Sequence, residues 1–163
     1  CRRALESRTA LFGENHQDCL ACLVTLVALL RTEGRYAEAK PLQVQLTEAS
    51  ETTLGLEHPV TIASLGSHAM LCQVRGQYEK SEGLYQRALE GSKLVLGAEH
   101  PSTLAVLHNY AELLRLCGKL EEAGPLVCQV LEQREALLSP SHPDTLSSRH
   151  SLAMLQLELG KPD

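Results

Sequence analysis

The stretch LGAEHPSTL, residues 96–104, places a glutamate, a histidine and a proline in a row. Glu99 and His100 have the chemistry of an acid/base pair or of two metal ligands, but the same string also suits a joint between helices. Related strings recur along the chain, as GENHQDCLACL (13–23), GLEHPVTIASL (55–65) and SPSHPDTLSSR (139–149). The interpretation of this stretch therefore decides both the fold and whether chemistry is expected.

The recurrence has a fixed period. The histidines of the four strings are spaced 42 residues apart, at His16, His58, His100 and His142. Four glycines keep the same spacing, at Gly34, Gly76, Gly118 and Gly160. Residues 55–96 and 97–138 are identical at 15 of 42 positions, against roughly two or three expected by chance. The period indicates a repeat protein built from one structural unit.

Each period contains the pattern of two helices. Between Pro59 and Val74, apolar residues recur at the three- and four-residue steps of one helix face. The expected core positions are Ile62, Leu65, Ala69 and Cys72, followed by Leu84, Tyr85, Ala88 and Leu89 in the second helix. Gly76 and Gly97 end the two helices, where a positive φ is commonly needed. The predicted helices are 2–11, 17–33, 36–53, 59–75, 78–95, 101–117, 120–137 and 143–159.

In this pattern the EHP string is predicted to be a joint. Pro101 opens a helix at its first position, where its missing N–H has no cost. His100 falls at or beside the N-cap, and Glu99 lies near a helix N-terminus, where negative charge is favourable. Equivalent histidines of successive repeats are separated by two helix packings, roughly 16–20 Å, whereas zinc ligands lie within about 4 Å of one another. We therefore expect no shared metal site.

Composition limits the fold and the partners. Of the 163 residues, 44% are hydrophobic but 3% aromatic, which favours a closely packed helical core of Leu, Ala, Val and Cys. The net charge of −5 and the lack of a basic run argue against nucleic acid. No apolar stretch reaches the ~18 residues of a membrane span. Recognised catalytic and phosphate-binding motifs are absent, so we expect no enzyme, no cofactor and no membrane partner.

The six cysteines lie within apolar helical patterns rather than in loops, unlike a disulfide framework. We therefore predict a reducing, cytoplasmic location. Cys19 and Cys22 have CxxC spacing, but no strand precedes them as in a thioredoxin-like site, and zinc would need a second ligand pair. Cys22, Cys72 and Cys117 are expected to fill narrow gaps between helices.

These features resemble the tetratricopeptide repeat. The 42-residue length and the LG-x-[ED]-HP-x-T joint are similar to the kinesin-light-chain type in particular. Its turn is matched by GRYAEA at 34–39, GQYEKS at 76–81 and GKLEEA at 118–123. The resemblance implies an all-α fold, a right-handed α-α superhelix (TPR solenoid) of antiparallel helix pairs. About three full repeats are expected, with partial repeats at both ends.

The resemblance also implies that the first helix of each pair lines a concave groove that binds extended peptides. Kinesin light chains carry two asparagines there, in L-N-N-L-A. At those positions this chain retains Asn109, whereas Thr25, Ser67 and Ser151 stand at equivalent places in the other repeats. The usual cargo-binding ladder is therefore largely replaced.

Helical geometry predicts which residues face the groove. If Leu65, Ala69 and Cys72 point into the core, the opposite face of the same helix points into the groove. Arg31 and Arg115 occupy matching positions, and guanidinium groups bind carboxylates bidentately. The candidate groove residues are Thr25, Arg31, Ser67, Met70, Gln73, His108, Asn109, Glu112, Arg115 and His150. His108 and His150 are expected mainly as polar lining.

The predicted function is non-catalytic protein binding, with an extended and acidic segment of a partner held in the groove. The division predicted for the single array 1–163 is a second helix at 1–12, full repeats at 13–54, 55–96 and 97–138, and a further first helix at 139–163. Both ends fall inside a repeat, so a segment of a larger protein is expected. Two alternatives remain open: a structural module, monomeric or weakly dimeric through its end helices, and the regulatory arm of an enzyme.

Overall fold

The structure is a computed structural model that describes residues 2–13 and 16–160. This part of the chain forms eight α-helices and no strand. The helices are α1 (Arg2–Phe12), α2 (Gln17–Thr32), α3 (Tyr36–Leu54), α4 (Pro59–Val74), α5 (Tyr78–Leu96), α6 (Pro101–Leu116), α7 (Leu120–Leu137) and α8 (Pro143–Glu158). Every predicted helix is confirmed, with ends that agree to about one residue.

The joint between repeats has the geometry predicted for the EHP string. Gly97 ends α5 at a φ of 92°, a left-handed conformation in which a side chain would be strained. His100 is the N-cap of α6, and its Nδ1 accepts a hydrogen bond from the backbone N–H of Ser102 at 3.2 Å. Pro101 follows in the first turn of the helix. The string is a helix-to-helix joint.

The turn inside each pair is a Schellman motif, shown here for α4 and α5. The backbone N–H of Gln77 donates to the carbonyl of Cys72, and that of Gly76 to the carbonyl of Gln73, both at 2.9 Å. Gly76 has a φ of 71°. These bonds satisfy the last carbonyls of α4 and turn the chain back, so that α5 lies against α4.

The order of contacts gives the array its curvature. Each helix packs on the next one in the chain, and the first helices of neighbouring pairs also meet, α4 with α6 and α6 with α8. Within the described residues the backbones of two second helices do not approach each other in this way, although the side chains of Glu51 on α3 and Arg87 on α5 form an ion pair. An array curves toward the side on which its helices approach, so α2, α4, α6 and α8 form the concave wall. We call the surface along these four helices the groove.

The core lies between the two layers of helices. All eight core positions predicted from the period are buried. The largest cluster joins Leu65, Ala69, Cys72, Leu84, Tyr85, Ala88 and Leu113. Replacing a fully buried leucine such as Leu65 by alanine costs about 2–5 kcal/mol through lost burial and the cavity left behind.

Hydroxyl side chains form the seam where a second helix meets the next repeat. The Thr61 hydroxyl donates to the backbone carbonyl of Ser50 at 3.1 Å, and the hydroxyls of Ser50 and Ser64 are also 3.1 Å apart. One repeat later, the Thr103 hydroxyl lies 3.3 Å from the carbonyl of Ser92 and 2.8 Å from that of Gly97. Because serine and threonine are small, the helices approach closely while their polar groups stay satisfied.

The cysteines in the described part of the chain are free thiols. Cys72 is buried in the largest core cluster, half-buried Cys117 packs against that cluster, and Cys22 is half-buried. Across residues 2–13 and 16–160, no helix is long and apolar enough to cross a membrane. The same residues contain no group of three or more His, Cys, Asp or Glu side chains placed to hold a metal ion.

Candidate peptide-binding groove

The predicted groove residues lie on α2, α4, α6 and α8 and differ in accessibility. Thr25 and His150 are exposed. The others are half-buried: Arg31, Ser67, Met70, Gln73, His108, Asn109, Glu112 and Arg115. We divide the groove into three junctions between neighbouring first helices. The first junction joins α2 and α4, the second joins α4 and α6, and the third joins α6 and α8.

At the first junction, Arg31 reaches across from α2 to α4. Its Nη1 donates to the Ser67 hydroxyl at 3.0 Å, and its Nη2 lies 3.2 Å from the Met70 sulfur. None of the described carboxylates is within ion-pair distance of this guanidinium. The structure therefore brings three predicted residues together and leaves the charge of Arg31 without a counter-ion.

A cavity of about 170 Å³ opens beside Arg31 at this junction. Its walls are mainly apolar, formed by Val24, Val27, Ala28, Arg31, Gln43, Leu46, Val60, Ala63, Ser64 and Ser67. Gln43 is 1% exposed, and its Nε2 donates to the Ser64 carbonyl at 3.0 Å, while its Oε1 is buried without a partner. The cavity is thus mainly apolar, and the carbonyl oxygen of the Gln43 side chain is an unused hydrogen-bond acceptor in its wall.

The repeat itself explains why the cavity exists. Position 43 corresponds to Tyr85 in the next repeat. Tyr85 is fully buried, fills the second junction and donates from its hydroxyl to Gln73 Oε1 at 3.3 Å. Burial raises the pKa of Tyr85 to about 12. The smaller Gln43 leaves the equivalent space empty.

A second depression, of about 290 Å³, is lined by Ala28, Arg31, Thr32 and Tyr36. Arg31 therefore borders two depressions. A ligand that occupied either one would pass within reach of its guanidinium.

Arg115, the residue matched to Arg31, has a different environment. Its Nη2 and Nε donate to the Glu112 carboxylate at 3.1 Å and 3.2 Å, and its Nη1 donates to Glu158 at the end of α8. Two carboxylates thus neutralise Arg115 within the protein. The matching positions of the two arginines predicted that both bind carboxylates of a partner. In the structure Arg115 is already paired with two carboxylates of the protein, whereas Arg31 is not.

The remaining predicted residues are placed more loosely. Nε2 of His108 lies 3.4 Å from the Ser147 hydroxyl, and burial, followed by the nearby Arg134, lowers the pKa of His108. Thr25 uses its hydroxyl proton on the Ala21 carbonyl of its own helix, at 2.9 Å. His150 projects into solvent on α8.

Gln43 was missed from the sequence because the groove prediction considered the first helices alone. The signal was nevertheless present in the 42-residue alignment. Gln43, Tyr85 and Val127 occupy one position and differ greatly in size and polarity. A position that varies in this way inside a regular repeat indicates a place where the packing differs between junctions.

Comparison with protein families agrees with this architecture. A tetratricopeptide repeat model matches residues 60–123 and 102–163, and a second tetratricopeptide repeat model matches residues 19–60. Together these matches cover most of the sequence. The chain belongs to the tetratricopeptide repeat family.

Its repeats are similar to those of kinesin light chains. Two solved structures from Podosopora anserina, described as a kinesin light chain with nearly identical TPR-like repeats, superpose with TM-scores of 0.84 and 0.82. Each is 28% identical over 98% of this chain and 76% of its own. BtubC (BKLC) from P. vanneervenii shares the fold with a TM-score of 0.81, at 18% identity over 88% of this chain and 57% of its own. No curated protein matches the chain.

Proposed function

We propose that this chain is a non-catalytic protein-interaction scaffold, similar to a kinesin light chain, whose groove holds an extended segment of a partner protein. The observation that supports this most is the first junction, where an apolar cavity lies beside an arginine that lacks a counter-ion. Concave surfaces of helical repeat proteins are their usual binding surfaces. The fold is typical of scaffolds that have no catalytic activity of their own.

The two depressions beside Arg31 define what the segment should contain. An apolar side chain would fill the cavity of about 170 Å³, and a carboxylate nearby in the segment would pair with Arg31. Because this guanidinium is already oriented by Ser67 and Met70, little side-chain entropy is lost when a carboxylate binds. We therefore expect partner segments in which a bulky apolar residue lies close to an acidic one.

The full set of residues proposed to line the binding surface is Thr25, Arg31, Ser67, Met70, Gln73, His108, Asn109, Glu112, Arg115 and His150. We also propose the division into repeats given above, a cytoplasmic location, and a protein rather than a nucleic acid or a membrane as the partner. Arg115 is expected to contribute less than Arg31, because Glu112 and Glu158 already neutralise it.

Self-association is a second candidate, and it is favoured by the outer face of α8. Leu146 is 50% exposed, whereas its counterparts Ile62 and Leu104 in the earlier repeats are 4% and 2% exposed. A second copy could cover this face. A mass that rises with concentration in analytical ultracentrifugation, and that falls when Leu146 is replaced by Gln, would support this candidate.

The test of the groove is a selection from a display library of random peptides, followed by binding measurements on the selected sequences. Arg31→Glu reverses the free charge, and Gln43→Tyr fills the cavity with the residue that the next repeat uses. Each variant should weaken binding by at least about tenfold, the equivalent of 1.4 kcal/mol.

The matched control is Arg87→Glu, which reverses an arginine on the outer helix α5, where it pairs with Glu51 at 2.8 Å. Circular dichroism would first establish that all three variants are folded. Selected peptides that bind the two groove variants as tightly as the parent protein would contradict the proposal and move binding to another surface.

A further inference from the structure

One position on the seam between repeats departs from the pattern of the others. Ser50 and Ser92 are followed, 42 residues later, by Arg134, which is 5% exposed. The threonines Thr61 and Thr103, whose hydroxyls lie within hydrogen-bond distance of the carbonyls of Ser50 and Ser92, correspond to Thr145. The hydroxyl of Thr145 is buried without a hydrogen-bond partner. At this place the seam therefore lacks the hydrogen bond of the threonine hydroxyl, and a large charged side chain replaces the serine.

The guanidinium of Arg134 is incompletely paired. Its Nη1 donates to the Asp144 carbonyl at 2.9 Å and to the Ser148 hydroxyl at 2.7 Å. Its remaining N–H groups have no partner among the described residues, and no described carboxylate is within ion-pair distance. The carboxylate of Asp144 acts on this guanidinium through space without forming an ion pair with it. Glu112 pairs with Arg115 through one carboxylate oxygen, and its Oε1 is buried without a hydrogen-bond partner.

The repeat also shows where this guanidinium lies relative to the groove. The cavity of the first junction is lined by Val24, Val60 and Ser64, among others. Eighty-four residues later, these positions are His108, Asp144 and Ser148. Nη1 of Arg134 contacts the last two. The third junction thus holds a cation at the place where the first junction holds an apolar cavity.

His108 adds a second group that can carry positive charge at the same junction. It faces the groove, and its Nε2 lies 3.4 Å from the Ser147 hydroxyl. Burial lowers the pKa of His108, Arg134 lowers it further, and the carboxylates of Glu112 and Asp144 act in the opposite direction. Burial likewise lowers the pKa of Arg134, and the carboxylate of Asp144 acts in the opposite direction. Burial disfavours the charged form of both groups.

We propose that Arg134 and His108 form an oxyanion-binding site at the third junction of the groove, which takes one carboxylate or phosphate group of a bound polypeptide. The guanidinium has N–H groups left to donate in a fork, as oxyanions require. His108 and the Ser147 hydroxyl stand at its groove side. The polypeptide source of the anion rests on the proposed function above, whereas the site itself does not.

The test measures a small anion, so that it is independent of any peptide. Sodium phosphate and, separately, sodium acetate are titrated against the protein at constant ionic strength, with sodium chloride as reference. The ring resonances of His108 are followed by NMR. A saturable shift of these resonances, with a titration midpoint of His108 that moves to higher pH in the bound state, is expected. The anion that saturates at lower concentration distinguishes the phosphate source from the carboxylate source.

Arg134→Ser is the decisive variant, because serine is the residue that the two earlier repeats carry here. It should fold, have a higher Tm than the parent protein in chloride, and lose the saturable shift. Arg149→Ser, on the exposed face of α8, removes an arginine paired with Glu135 and should leave the shift unchanged.

A linear shift without saturation, or a shift equally large in Arg134→Ser, would overturn the site. If Arg134→Ser fails to fold, Arg134→Lys is tested instead, because lysine keeps the charge but lacks the paired N–H groups of a guanidinium. This variant should bind the anion about tenfold more weakly. Unchanged affinity in Arg134→Lys would also overturn the site. Loss of peptide binding in the Arg31 and Gln43 variants is a separate result, since those residues lie at the first junction.

Discussion

His68 places a polar imidazole at a position that other repeats fill with leucine or tyrosine. The equivalent positions in the other repeats are Leu26, Tyr110 and Leu152, so the position belongs to the core. His68 is 4% exposed, and neither ring nitrogen has a hydrogen-bond partner. Burial, followed by the charges of Lys80 and Lys40 on the flanking helices, lowers its pKa to about 4. An imidazole here is tolerated only in its neutral form.

Stability should therefore fall at mildly acidic pH. The folded protein holds His68 neutral down to about pH 4, whereas the unfolded chain takes up the proton near pH 6.5. His68 therefore leaves the free energy of unfolding unchanged above about pH 6.5. As the pH falls toward 4, protonation of the unfolded chain lowers this free energy by up to about 3 kcal/mol. Urea unfolding at pH 7.5 and pH 5.0 measures the loss.

His68→Leu restores the residue found at positions 26 and 152. We expect a more stable protein at pH 7.5, by about 1–3 kcal/mol, because two unsatisfied polar atoms leave the core. The difference between the two pH values should shrink but not vanish, since His108 titrates in the same direction. An unchanged pH dependence in His68→Leu would show that other groups are responsible.

At the scale of the helix, the joint histidines act as N-caps. In all four joints the ring Nδ1 accepts a bond of 3.2 Å from the backbone N–H two residues later. Serine, threonine, aspartate and asparagine are the residues usually found in this role. A bond to Nδ1 requires the neutral tautomer with its proton on Nε2. The recurrence of these histidines is thus explained by helix initiation rather than by catalysis.

Removing one cap tests this explanation. His100→Ala should lower the free energy of unfolding by about 1 kcal/mol, because the N–H of Ser102 loses its acceptor. His100→Ser supplies an alternative acceptor and should be nearly neutral. Glu99→Ala, one residue earlier and exposed, is the control and should change stability by less than about 0.5 kcal/mol. Equal losses in the alanine and serine variants would exclude capping as the reason for the histidine.

At the scale of the whole molecule, the array is held by contacts between neighbours. Each helix touches those adjacent in the chain, and α4 with α6 and α6 with α8 also touch across one intervening helix. Among the described helices, α1 contacts α2 alone, whereas α4 and α6 also contact first helices of other pairs. Stability in such an array is approximately a sum of repeat and interface terms, so local opening should begin at the ends.

Amide hydrogen exchange should therefore give the strongest protection in α4, α5 and α6 and the weakest in α1, which contacts α2 alone among the described elements. Leu65→Ala, in the largest core cluster, should lower protection in α4 and α5 more than in α7 and α8. The exchange rates are read by NMR or by mass spectrometry of peptic fragments. Equal protection in every helix, lowered uniformly by Leu65→Ala, would indicate that the array opens only as a single unit.

The sequence by itself determined the fold, because a solenoid repeats one local pattern. Helix ends, glycine turns, the proline after each joint and the core face are all set within a single 42-residue period. Leu65, Ala69 and Cys72 were assigned to the core by their spacing, and they are buried. The inner position of the first helices followed from the family resemblance and agrees with the contacts between helices.

The tertiary structure decided how the groove differs from one junction to the next. Arg31 and Arg115 occupy equivalent positions in the repeat. Glu112 and Glu158 neutralise Arg115, whereas no described carboxylate pairs with Arg31. Gln43 leaves a cavity where Tyr85 fills the space, and Arg134 enters a seam made elsewhere of serine. These differences depend on which side chains from three neighbouring helices contact one another. The pattern within a single repeat does not specify these contacts, because they join different repeats.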